Sequence, residues 1–396
     1  MKNIEGQLNI DLYPQRQNGA RVELSSSRPL HAAKIFIGKT PEQALTIIPL
    51  LFSICGIAQS RAALAAIEQN IKREADLALE TARDMLVLAE NAKEHLLRLF
   101  IDWPRLFKLK TDNNNLSYLS QLVNEFKSAL FQQGDAFSLD SNLAEQCENA
   151  SVLIDKLDQY LQQHVFGEST TNWLQMKDIN ALLQWTQRCD SVAANSIRTI
   201  CDQGWASLGL TEAKLLPLLD EDYLLKQFNA SDAEQFIAQP QWQGHCCETT
   251  TFSRQFEQPV IQALMKEFNT ALITRWVARL VELASIPHQL RSALRQLRDM
   301  LAMTPVNISA NKKTAQGLAQ IEAARGRLIH RVEIEQGVIS HYQILAPTEW
   351  NFHPQGLVAK SLNSLASNRQ QDDLEQLAHL MINTVDPCVG YQLRIH

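Results

Sequence analysis

The chain has 396 residues and carries 37 basic against 43 acidic side chains, a formal charge of −6. Hydrophobic residues make up 45% and charged residues 20%, which excludes a disordered chain, and the mild acidity offers no basic footprint for nucleic acid. Gly (14) and Pro (13) together fall below the usual ~12%, which favours long helices over many tight turns. No N-terminal stretch pairs a basic region with an apolar one, so no signal peptide is expected. The longest apolar run, Ala44 to Ala58, contains Pro49 and Ser53 and is shorter than the ~20 residues of a membrane span. The seven cysteines are odd in number and widely spaced. They point to free or ligating thiols in a reducing cytoplasm rather than to a disulfide framework.

In chain order, residues 7–13 and 20–25 alternate apolar and polar and read as a β-hairpin. Thr40-Pro41-Glu42 reads as a helix start, with a capping hydroxyl followed by Pro where no N–H is needed. That helix is expected to run to about Ile54, and a long second one from about Ala58 to Phe100. Asp112 to Asn115 reads as a loop, and helices are expected at about 117–132, 141–164, 173–200, 212–228 and 255–285. Another helix at about 312–323 leads into a second hairpin, 327–335 and 338–345, around Gln336-Gly337. A last helix at about 371–383 delivers the chain to Asp386-Pro387-Cys388.

Two cysteines have unusual settings. Cys55 sits at a helix break in Ile54-Cys55-Gly56, and Cys388 follows Asp-Pro near the C-terminus. A thiolate beside free backbone N–H groups can be lowered in pKa and can ligate a soft or borderline metal. The plain alternative is a small buried hydrophobe, and spacing alone cannot pair residues so far apart. His245-Cys246-Cys247 resembles a metal cluster in isolation, but adjacent cysteines give poor geometry and no second pair at zinc spacing exists. Cys147, Cys189 and Cys201 read as packing residues. His330 and His341 read as satisfied sheet residues, with donation to a metal pocket as the alternative for either. Asp220-Glu221-Asp222 reads as a solvated surface. The sequence has no phosphate-binding loop, no nucleophile elbow and no cysteine set for an iron-sulfur cluster.

Seven blocks along the chain resemble, in order, motifs of the large subunit of nickel-iron hydrogenases. Ile4-Glu5-Gly6-Gln7-Leu8-Asn9-Ile10 is similar to R-I-E-G-H-L-R-I. Gly38-Lys39-Thr40-Pro41 through Cys55-Gly56-Ile57-Ala58 is similar to G-R-x-P … R-x-C-G-x-C. Trp242-Gln243-Gly244 with Glu248 and Arg254 resembles Y-x-G-x-x-x-E-x-G-P-L-A-R. Arg275, Arg279 and Glu282 match a following helix. Glu322 to His330 resembles E-A-P-R-G-x-L-x-H, Pro347 to Asn351 resembles P-T-x-W-N, and Asp386-Pro387-Cys388 resembles D-P-C-x-x-C-x-x-H.

The departures are informative. That family holds its metals with two C-x-x-C pairs, the second cysteine of each bridging nickel and iron. Here those positions are Ala58 and Tyr391, and the motif histidines fall on Ala62 and Arg394. The motif arginine is Ser53 and a magnesium-binding Glu is Ala33. The pocket that hydrogen-bonds the iron's cyanides is better kept, on Arg325 and Thr348. A guanidinium and a hydroxyl suit an anionic acceptor. This pattern resembles the HupK and HoxV family of hydrogenase assembly proteins, large-subunit paralogues that keep one cysteine of each motif.

The resemblance implies a single domain over residues 1–396, mainly α with a small antiparallel β layer made of the two hairpins (about 7–25 and 327–346). It implies a nickel-iron hydrogenase large-subunit-like fold in which the two termini meet. It implies a non-catalytic scaffold that transiently holds an iron unit with two cyanides and one carbon monoxide on Cys55 and Cys388, with no nickel. Glu5, the family's proton-relay position, and Asp386, able to pair with Arg325, would be supporting residues. Partners would be maturation proteins of the iron-cyanide pathway and the immature large subunit, with no nucleic acid or membrane. The sequence offers no tail after the last motif, as expected of a protein that never receives nickel. The alternatives are a metal-free docking protein and a catalytic subunit. Undiminished hydrogenase maturation in a Cys55→Ala/Cys388→Ala variant would favour the first, and hydrogen-dependent dye reduction the second.

Overall fold

The computed structural model describes residues 6–14, 20–28, 32–110, 116–145, 148–302, 317–368 and 371–396. Glu5, Cys147 and the expected loop at 112–115 lie outside these residues.

Strand β1 (Gln7–Tyr13) pairs antiparallel with β2 (Arg21–Ser26), as the alternation predicts, and buries Leu8, Ile10 and Leu12 on one face. The termini meet through an element the sequence reading missed. The C-terminal strand Gly390–Ile395 pairs parallel with β1, placing Tyr391 opposite Leu8. The other three-stranded sheet is antiparallel and formed by Gly317–Ala323, Gly326–Glu335 and Val338–Leu345. The two hairpins therefore belong to separate three-stranded sheets rather than to one layer, and the first sheet is mixed.

Helix α1 (Pro41–Leu51) starts as expected. Thr40 accepts from the Gln43 backbone N–H at 3.3 Å, and the Gln43 side chain accepts from the Thr40 N–H at 3.1 Å. The expected 58–100 helix is two helices, α2 (Gly56–Asn70) and α3 (Leu77–Leu97). Lys72 turns left-handed (φ 55°), and Asp76 caps α3 by accepting from Ala78 and Leu79 N–H groups. Other long expectations also divide. The 141–164 segment is helical at Glu148–Leu161 and continues as a π-turn. The 173–200 segment splits at Cys189-Asp190 into Ile179–Arg188 and Val192–Asp202, capped by Asp178 and Ser191. Of 212–228 only Glu221–Phe228 is helical, with Asp220 as its cap. The 255–285 segment becomes Pro259–Phe268 and the 31-residue helix Leu272–Ala302, which runs through Pro287. Helix Leu357–Asn368 was not expected, whereas Gln371–Val385 was.

Of the helix expected at 312–323, the described part is a strand. Gly317–Ala323 is fully registered against the next strand, Gly317 opposite Val332 and Ala323 opposite Gly326. Its local composition suits a helix, but pairing and packing on α2 override that propensity. A Cβ on Gly317 would lie 1.9 Å from the Ala66 carbonyl oxygen, so the glycine permits this close approach. The main core joins β1, α3 and the long Leu272–Ala302 helix, and a second core packs α1 and α2 on the antiparallel sheet. The site lies where these parts meet.

Candidate metal centre

The antiparallel sheet turns at Ala324-Arg325, a two-residue connection closed by Gly326 at φ +128°. A Cβ there would stand 1.6 Å from the Thr249 carbonyl oxygen. Asn351 pins the same turn. Its amide donates to the Arg325 carbonyl at 3.2 Å and its carbonyl accepts from Thr249 N–H at 2.9 Å. Motif residues far apart in sequence thus fix the position of one arginine.

The Arg325 side chain is buried. Its Nη2 donates to Glu94 Oε2 at 3.1 Å, and its Nε lies 3.3 Å from Asp386 Oδ2. Its Nη1 has no hydrogen-bond partner among the described residues. Burial opposes the guanidinium charge, but Asp386 and Glu94 raise its pKa above the ordinary value. Asp386 pairs with Arg325 as anticipated, and also with Arg98 at 2.9 Å and Arg279 at 4.0 Å. Burial alone would raise that carboxyl, yet the three arginines hold it below its usual range. Asp386 has φ 62° and its N–H reaches the Ile382 carbonyl at 2.8 Å, closing the Gln371–Val385 helix just before Pro387 and Cys388.

Cys55 and Cys388 line one cavity with Arg325, Gln59, Glu90, Glu94 and a wall that includes Ala323, Ala324, Ala346 and Pro347. The space is about 10 Å³, room for roughly one water. Thr348 follows Pro347 in the first turn of the Pro347–Asn351 helix, and its hydroxyl lies 2.8 Å from Cys388 Sγ. It reaches the site through that sulfur.

Cys55 occupies the N-cap position of α2, but the N–H groups there are not free for its thiol. Glu90, on α3, accepts from Ile57 N–H and Ala58 N–H, both at 2.9 Å. The expectation of a lowered thiol is therefore corrected. Burial, then Cys388 and Glu90, push the Cys55 thiol up to about 12. Burial also raises the Glu90 carboxyl to about 7.

The positions that carry bridging cysteines in the resembled motifs lie elsewhere in function. Ala58 is fully buried in an apolar cluster with Ala62, Ala323, Leu328 and Ala346. The Tyr391 hydroxyl lies 2.9 Å from His379 Nδ1 and accepts from Asn383 at 3.2 Å. Glu248 and Arg275 form a buried ion pair at 2.8 Å, and Glu282 binds Arg254 at 2.7 Å and His95 at 3.2 Å. Burial would raise Glu282, but Arg254 and His95 hold it down to about 2. These motif residues build the frame around the cavity.

Sequence reasoning missed Glu90, Glu94, Gln59, Arg98 and Arg28. Arg28 is held by Glu349 at 2.9 Å. Burial opposes its charge, while Glu349 and then the Cys388 and Cys55 sulfurs raise its pKa, which places a second guanidinium near both thiols. Glu90 and Glu94 had a visible signal, acidic residues on the apolar side of α3, four apart on one helical face. Cys246 does not gather a metal set. Its sulfur meets His353 Nδ1 at 3.3 Å, and no group of three potential ligands occurs among the described residues. His330 is satisfied in the sheet and His341 pairs with Glu333. Cys189 is buried and Cys201 partly so. No helix among the described residues is long and apolar enough to cross a membrane.

The family profile "Nickel-dependent hydrogenase" matches residues 186–391. The chain is 29% identical to the hydrogenase expression/formation protein HoxV of Cupriavidus necator, covering 93% of this chain and 91% of that protein. It is 24% identical to the hydrogenase expression/formation protein HupV of Azotobacter chroococcum, covering 99% of each. Among solved structures, it superposes on the Ni-Fe-Se hydrogenase from D. vulgaris Hildenborough with a TM-score of 0.63 at 15% identity, covering 94% of both chains. That likeness supports the expected large-subunit-like fold.

Proposed function

Because the chain belongs to the nickel-dependent hydrogenase family, yet keeps one thiol of each metal-binding motif, we propose that it is a non-catalytic assembly protein. It holds an iron unit bearing two cyanides and one carbon monoxide and passes it to a catalytic large subunit. The names of HoxV and HupV support a role in hydrogenase formation.

One observation carries the reading. Cys55, Cys388 and a buried guanidinium with an unpartnered N–H line a single cavity. The donor set suits the cargo: two sulfurs for iron and a charged donor for a cyanide nitrogen. As a thiolate, Cys388 accepts from the Thr348 hydroxyl, which is then available to a cyanide only on leaving that sulfur. Ala58 and Tyr391 at the bridging positions supply no thiolate to lock the metal in place. Fewer protein ligands favour release, which a carrier needs. The cavity, at about 10 Å³, is smaller than the cargo, so loading requires the Ala323–Arg325 turn or the Ala346-Pro347 segment to yield. Partners are then the proteins that build the iron unit and the immature large subunit.

Infrared spectroscopy of protein purified anaerobically from a host with the hydrogenase maturation set tests the proposal. Cyanide and carbonyl bands that vanish in Cys55→Ala and Cys388→Ala variants are expected. A band-free spectrum with iron below stoichiometry would overturn it.

A further inference from the structure

A buried file of hydrogen bonds runs from the antiparallel sheet to one of the two sulfurs. The Tyr342 hydroxyl lies 2.9 Å from His330 Nδ1, His330 Nε2 lies 2.8 Å from Gln59 Oε1, and Gln59 Nε2 donates to Cys55 Sγ at 3.8 Å. His330 and Gln59 are almost wholly buried and Tyr342 is 4% exposed, so water does not compete for these groups. Gln59 stands one turn after Cys55 on α2, and its other face looks to the sheet.

The chemistry of each group fixes the direction of the file. An amide oxygen only accepts, so His330 Nε2 carries a proton. A neutral imidazole has one donor and one acceptor, so Nδ1 accepts and the Tyr342 hydroxyl donates. His330 is neutral, since burial pushes its pKa down to about 3. With its oxygen committed to His330, Gln59 can present only its NH2 to Cys55.

We propose that His330 and Tyr342 are positioning residues which, through the fixed amide of Gln59, hold the Cys55 sulfur as a hydrogen-bond acceptor and set its strength as a ligand for a soft metal. The two thiols are then unequal. Cys55 receives an amide N–H, whereas Cys388 shares a hydrogen bond with a hydroxyl and accepts from it once it is a thiolate, so the sulfurs differ in partner and in the element that supplies it. An N–H on a thiolate draws electron density from sulfur and weakens its bond to metal relative to a bare thiolate, while favouring the anion over the thiol. The proposal rests on the carrier reading only in taking Cys55 as a metal ligand. The hydrogen-bond file itself exists without cargo.

The test uses the full-length protein without iron. Histidine labelled with 13C and 15N is examined by NMR, with His330 assigned by difference against His330→Gln. The Nε2–H tautomer is expected in the parent protein, and Tyr342→Phe should admit the other tautomer. In parallel, iodoacetamide labelling of Cys55 at pH 8 is followed by peptide mass spectrometry in the parent, Gln59→Met and Tyr342→Phe. Labelling about three- to tenfold slower is expected in both variants, with circular dichroism unchanged. An Nδ1–H tautomer in the parent would overturn the proposal, as would labelling within twofold of the parent in Tyr342→Phe even if Gln59→Met is slower. Should infrared bands be missing from the purified parent, the carrier reading fails while these tautomers and rates stand as measured, so the two failures are told apart.

Discussion

Replacing Arg325 by Gln tests the frame of the site without reference to any cargo. The guanidinium stands 3.1 Å from Glu94 and 3.3 Å from Asp386. At an effective dielectric near 20 each contact is worth roughly 5 kcal/mol before desolvation. Much of that gain offsets the several kcal/mol needed to bury the guanidinium. The loss on substitution falls unevenly on its partners. Asp386 keeps Arg98 at 2.9 Å and Arg279 at 4.0 Å, but among the described residues Glu94 keeps only Lys93, at 3.3 Å. Most of the destabilisation therefore comes from one under-compensated carboxylate, at the low end of the 3–5 kcal/mol typical of a broken buried pair, or about 3 kcal/mol. Arg325→Lys keeps the charge but serves one carboxylate well and the other poorly, and is expected to cost about half as much. Urea unfolding followed by tryptophan fluorescence measures both as shifts in midpoint at unchanged slope. A Gln variant within about 1 kcal/mol of the parent, or a Lys variant as damaging as Gln, would show that the buried charges are balanced by other groups and refute the reasoning.

Gly326→Ala is expected to abolish native folding, since its Cβ would sit 1.6 Å from the Thr249 oxygen with both atoms in backbone-fixed positions; loss of the cooperative thermal transition is the readout. Tyr391→Phe removes the hydroxyl shared by His379 and Asn383 and is expected to cost about 1–2 kcal/mol in urea while leaving any cyanide and carbonyl bands in place, because residue 391 is bound into the C-terminal strand. A shift of those bands would bring position 391 back into the site. His330 supplies a pH dependence. Its folded pKa of about 3 lies below the ordinary 6.5, so the unfolded chain binds the proton first. Its contribution is full above pH 6.5 and is lost as pH falls toward 3, by roughly 3–5 kcal/mol over the window. Stability measured from pH 7 to 5 should fall less steeply in His330→Gln, and equal slopes would contradict the assigned burial. Glu282 acts in the same direction at lower pH, its contribution being present above 4.5 and lost as pH falls toward about 2. Glu282→Gln should flatten that part of the acid profile.

The sequence by itself determined the local and the pairwise. Thr40-Pro41 with Gln43 starts a helix from local signals, because the cap is satisfied within four residues. The alternation in β1 and β2 fixes a hairpin and its buried face, and the order of seven motif blocks pointed to the large-subunit fold and to Cys55, Cys388, Arg325 and Thr348 as neighbours. It missed breaks such as Lys72, where the backbone turns left-handed inside an apolar pattern that runs on unchanged. It also made a helix of the stretch containing Gly317–Ala323, whose composition suits one until pairing with a partner strand and packing on α2 override it. The charge state of the site was decided by tertiary structure alone. Whether the N–H groups beside Cys55 would face a thiolate depended on Glu90, which comes from another helix and takes both of them. The guanidinium of Arg325 is balanced by one carboxylate from α3 and one from the C-terminal segment. Burial and opposite charge act through space, and only the folded chain sets the distances on which they depend.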